Sequence, residues 1–113
     1  MATFGDGERA GLHERLTQVR WGLEQLRQRP HDAALFAETC RAAHDLAESA
    51  GGCDFEELSE IGSRLEQALV AWRGRGALAT AWAPVAGEDA ALADWEDRLA
   101  PPARPWRVVG APR

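Results

Sequence analysis

Leu12, Leu16, Val19, Leu23 and Leu26 recur at spacings of four, three, four and three residues. That rhythm puts all five on one stripe of an α-helix, where 3.6 residues complete a turn, and it does not fit the two-residue alternation of a strand. The same spacing returns in Phe55, Leu58, Ile61, Leu65, Leu69 and Trp72, and again in Leu92, Trp95 and Leu99. A helix with a single apolar stripe has to bury it against other helices, so the pattern commits the chain to an all-α fold with one shared core.

Helix punctuation sets the boundaries. The first helix is predicted from about Glu8 to Arg29, after a loose start at Gly5, Gly7 and Gly11. Pro30 ends it, because its ring removes an N–H and displaces the preceding residue from helical dihedrals, and Asp32 caps a second helix that runs to about Ala50. Gly51-Gly52-Cys53-Asp54 supplies a turn, with Asp54 and Glu57 spaced as a capping box for a third helix that Gly74 and Gly76 terminate. Ala77 to Ala83 reads as a helical turn or two before Pro84, and Glu88 to Ala100 as a fourth helix. Residues 101–113 are proline-rich and predicted to form a short extended tail. No strand pattern or internal repeat competes. The expected architecture is an antiparallel four-helix bundle over residues 1–100, with Trp21, Trp72, Trp82 and Trp95 as core or rim filler.

At 113 residues and 45% hydrophobic content, the chain builds one core and no more. Its thirteen Arg are dispersed among eighteen acids, with no Lys and a net charge of −5, which argues against nucleic acid as a partner. No stretch is apolar enough to span a membrane, and Met1-Ala2-Thr3-Phe4-Gly5-Asp6 lacks the layout of a signal peptide, so a cytoplasmic location is expected. Two cysteines, Cys40 and Cys53, make no disulfide framework and are expected to be reduced.

On a wheel of the second helix, Leu35, Thr39, Ala42, Ala43, Leu46 and Ala50 share a core face with Phe36 at its edge, and His44 points away from them. Around His44 on the outer face lie Ala33, Ala37, Cys40, Ala47 and Gly51, with Arg41 and Glu48 a turn to either side. Small neighbours let another protein approach the ring, which suits a nucleophile; a surface histidine among alanines stays open on the wheel alone.

Ala43, His44, Leu46, Ser49, Ala50, Leu58, Leu65 and Glu66 fall, without a gap, on the pattern Ala-His-x-Leu-Lys-Gly-Ser-Ala, a turn, x-x-Leu and Leu-Glu. In this the chain resembles the histidine-containing phosphotransfer (HPt) family, including the first domain of chemotaxis histidine kinases, over residues 32–69. The resemblance implies an HPt-type bundle and a phosphoryl carrier more than an autonomous enzyme. His44 would take the phosphoryl group on Nε2 and exchange it with an aspartate of a response-regulator receiver domain, and Glu66 would orient the imidazole. A receiver and/or a histidine kinase are the implied partners, the chain itself needs no cofactor or metal, and magnesium belongs to the receiver.

Three positions depart from the family pattern: Ala47 replaces the usual Lys, Glu48 the usual Gly and, more mildly, Asp54 the turn glycine. Arg41 is the nearby candidate for the missing cation, and with Asp45, Ala47 and Glu48 it makes up the expected docking and tuning set. The departures keep a second hypothesis open, a degenerate HPt-like module that binds a receiver or kinase and regulates it without transfer. A third, metal binding through Cys40 and His44 four residues apart, rests on spacing alone.

Overall fold

The computed structural model describes residues 6–100; the predicted tail at 101–113 lies outside them. Four α-helices make up the described chain: α1 (Asp6–Gln28), α2 (Ala33–Gly52), α3 (Glu56–Gly74) and α4 (Ala83–Leu99), with a single 3-10 turn at Ala79–Ala81. No strand occurs among the described residues. Helix α1 contacts α2 and α4, and α3 contacts α2 and α4, so the four close into a bundle around one core.

The apolar stripes read from the sequence are the core. Leu12, Leu16, Val19, Leu23 and Leu26 of α1 meet Leu35, Ala43, Leu46 and Ala50 of α2, Leu58, Ile61, Leu65, Leu69 and Trp72 of α3, and Val85, Leu92 and Leu99 of α4. Burying so many Leu side chains, each worth about 1.5–3 kcal/mol, makes the core the main source of stability. Polar ties then fix how the helices sit on one another. Arg20 donates to Asp89 Oδ1 at 2.9 Å and to Glu96 Oε1 at 2.6 Å, while Thr17 Oγ1 donates to Glu96 Oε2 at 2.9 Å, lashing α1 to α4.

The punctuation behaved unevenly. Asp32 caps α2 as predicted, its carboxylate accepting from the Leu35 N–H at 3.0 Å. The Asp54–Glu57 capping box does not form: Asp54 takes a left-handed conformation (φ 66°) and serves as the turn residue, leaving Phe55 at the N-cap without a side-chain bond. Asp is among the few non-glycine residues that tolerate this region. Helix α1 begins at Asp6 and runs through Gly7 and Gly11, and α4 begins at Ala83, not Glu88. Pro84 opens α4 because an N–H missing in the first turn costs no intrahelical bond. Trp72 and Trp82 stack edge-on at 4.8 Å, and Phe55 and Trp95 at 5.7 Å, filling the two ends of the bundle as expected of core and rim. Trp21 does not: it is 61% exposed, because it lies across the helix from a stripe that the five aliphatic residues of α1 already complete.

Candidate functional site

The site lies along the seam where α3 crosses α2. Gly62 makes the crossing close: a Cβ built on it would stand 3.0 Å from Ala47 Cβ and 3.1 Å from the Ala43 carbonyl oxygen. Ser59, one turn earlier on α3, donates to the Ala47 carbonyl at 2.8 Å. Ala43 and Ala47 flank His44 on α2, and Glu66 follows Gly62 by one turn of α3. The backbone contact that brings the helices together therefore also brings Glu66 to His44.

His44 is exposed, with Nδ1 at 3.4 Å from Glu66 Oε1 and Nε2 at 3.2 Å from Glu48 Oε2. Glu66 comes from across the seam and is 37% exposed at its side chain; Glu48 comes from the next turn of α2 and is 70% exposed. The hydrogen bond to Glu66, helped by the negative charges of Glu48 and Glu66, raises the His44 pKa above its ordinary 6.5 against the opposing effect of burial. Cys40, one turn before His44, has its thiol pushed up to about 11 by burial and by the charge of Glu66, which Arg73 partly offsets.

The sequence-derived set is only partly assembled here. His44, Glu48 and Glu66 meet. Arg41 and Asp45 turn toward α1, lining a groove with Arg15, Gln18, Glu38 and Ala42, and Arg41 makes no ion pair among the described residues. Ala47 is not part of an outer docking surface: it is 7% exposed and packed on Gly62. Cys40 likewise packs against the core. The wheel put both on the open side because it registers one buried face per helix, whereas α2 has two neighbours, α1 and α3. Gly62 and Ser59, which set the seam, escaped sequence reasoning; the available signal was a glycine inside an uninterrupted helical pattern, with a serine three residues before it.

A neutral imidazole with one N–H held by a carboxylate is a nucleophile at its other nitrogen, and the exposed ring can be reached by a large partner. Among the described residues no group of three or more His, Cys, Asp or Glu side chains is placed to hold a metal ion. No helix among them is long and apolar enough to cross a membrane. Neither the models of known protein families, nor curated proteins, nor solved structures give a match to this chain.

Proposed function

We propose that the protein is a cytoplasmic histidine phosphotransfer carrier of HPt type, an antiparallel bundle in which His44 exchanges a phosphoryl group with a receiver-domain aspartate. One observation carries the reading: an exposed imidazole whose Nδ1 faces the carboxylate of Glu66, 22 residues later on the neighbouring helix. That contact favours the tautomer with the proton on Nδ1 and the lone pair on Nε2, the nitrogen that lies 3.2 Å from Glu48 Oε2 in the resting site. Phosphoryl transfer asks mainly for alignment and charge compensation, so a small rigid carrier suffices when the partner brings the metal and the acid groups.

The test is incubation with phosphorylated receivers and kinases from the same genome. An acid-labile, base-stable label that disappears in His44→Gln is the expected result, and a label that persists in that variant refutes the assignment. A second reading, a degenerate module that docks on a receiver or kinase without transfer, draws on the Glu48 carboxylate beside Nε2 and on the buried Ala47 where the family pattern has a cation. Tight receiver binding without exchange, unchanged by His44→Ala, selects it.

A further inference from the structure

Glu48 and Glu66 grip the same ring in different ways. Glu66 is set by the Gly62 crossing and is partly shielded. Glu48 is 70% exposed and makes no other ion pair or side-chain hydrogen bond among the described residues, so His44 is all that holds its carboxylate. The other charged or titratable groups near the ring do not compete for Nε2. On α2, Arg41 and Asp45 face the α1 groove and Cys40 packs inward. On α3, Arg73 lies over the Phe36 ring, and neither α1 nor α4 brings an acid within ion-pair distance of the imidazole.

From this geometry we infer that Glu48 is a lock on the phosphoacceptor nitrogen: its carboxylate stands 3.2 Å from Nε2, where it favours a ring that carries a proton on that nitrogen, and His44 becomes nucleophilic only when that carboxylate is drawn or screened away. The inference rests on the reading of His44 as phosphoacceptor. An imidazolium held at both nitrogens by carboxylates has no lone pair to offer. For transfer, the Nε2 proton first leaves to solvent while Nδ1 keeps its own proton, pointed at Glu66 Oε1. The Nε2 lone pair then attacks phosphorus, the N–P bond forms as the P–O bond to the donor aspartate breaks, and that bond's electrons leave with the aspartate carboxylate. A carboxylate left at 3.2 Å from Nε2 repels the incoming phosphoryl oxygens and blocks their approach. A receiver that places a Lys or Arg side chain beside Glu48 removes both obstacles, which makes Glu48 a selector among receivers as well as a lock.

Phosphoramidate, which transfers its phosphoryl group to Nε2 as the P–N bond breaks and ammonia leaves with the electron pair, tests the lock without a partner protein. In Glu48→Gln, which keeps the shape and removes the charge, labelling of His44 at pH 7 is expected to rise about 1.4- to fivefold, the range a surface ion pair sets. The His44 titration, followed by NMR of its ring nitrogens, is expected to move to lower pH. High salt is expected to speed the native protein and leave the variant nearly unchanged. A slower variant makes Glu48 a proton acceptor and overturns the lock, as does an unmoved titration with labelling intact. Absence of label in both proteins, with the titration still displaced, refutes the phosphoacceptor reading and with it the lock's purpose.

Discussion

Substituting Gly62 with Ala tests whether the close crossing of α2 and α3 builds the site. On its own, a Gly→Ala change inside a helix stabilises by roughly 0.5–1 kcal/mol, because glycine loses more backbone freedom on folding. Gly87, exposed in α4 with nothing within 4 Å of an added Cβ, isolates that gain. At Gly62 the new methyl meets Ala47 Cβ at 3.0 Å, the Ala43 carbonyl at 3.1 Å and Ala47 Cα at 3.2 Å, two of them backbone atoms that cannot rotate aside. Overpacking of this kind costs about 1–3 kcal/mol. Gly62→Ala is therefore expected to fall below Gly87→Ala by that amount, although the chemical change is the same.

Urea titration gives the difference directly, as a lower midpoint at unchanged slope, and each kcal/mol corresponds to about 4–8 °C in Tm. A second readout separates the seam from stability in general. Opening the crossing by a few tenths of an ångström carries Glu66 off His44 Nδ1, already 3.4 Å away, so the His44 titration in Gly62→Ala falls back toward 6.5 while that in Gly87→Ala stays raised. If Gly62→Ala is as stabilising as Gly87→Ala, or if it leaves the His44 titration in place, the seam does not position the site.

Other consequences are as direct. His44 has a raised folded pKa, so its contribution to stability is full below the unfolded value of 6.5 and is lost as pH rises through the folded pKa; the stability difference between native protein and His44→Gln should shrink over that range and shrink further in salt. Arg20→Ala, which cuts α1 from both Asp89 and Glu96, should lower urea stability by about 1 kcal/mol. Burial raises the Glu96 pKa, but the bonds from Arg20 and Thr17 outweigh it and lower the net value below 4.5. Its contribution is thus present above 4.5 and lost as pH falls through the folded pKa, and Arg20→Ala should blunt that acid loss; an identical acid profile in the variant refutes the network. Cys40, with its thiol near 11, should react with iodoacetamide at neutral pH about a hundredfold more slowly than free cysteine, and labelling at the free rate would contradict its burial against the core.

What was legible in the sequence is what periodicity reports. Every aliphatic residue of the α1 stripe is buried, and Asp32 caps α2 as its position announced, because stripe and cap are local properties. Pairing between helices is not local. The His44–Glu66 contact was named only through resemblance, since no rule of spacing within one helix brings residues 22 apart together. Ala47 was misplaced for the same reason: its surroundings are decided by Gly62, fifteen positions along the chain and on another helix. Asp54 shows the converse failure, in which a correct local signal for a turn was also assigned a capping role that the residue could not fill at φ 66°.

The burial of Ala47 changes what its replacement can do. In the HPt pattern that the chain resembles this position carries Lys, and on the proposed reading supplying that Lys would put a cation beside a phosphorylated His44. Here the residue is 7% exposed, its carbonyl accepts from Ser59, and its Cβ faces Gly62 across the tightest part of the seam. A lysine stem can reach solvent only by turning out of that seam and pushing α3 aside. Ala47→Lys should accordingly cost about 1–3 kcal/mol in urea and return the His44 titration toward its ordinary value, the same pair of effects expected of Gly62→Ala. A stable Ala47→Lys protein with its His44–Glu66 contact intact would show that the seam yields more readily than its distances imply. If the seam holds, this chain has no place beside His44 for its own cation on the α3 side, and Arg41 faces the other groove. On the proposed phosphotransfer reading, charge compensation for a phosphoryl group then has to arrive with the partner, whose cation would meet Glu48 first.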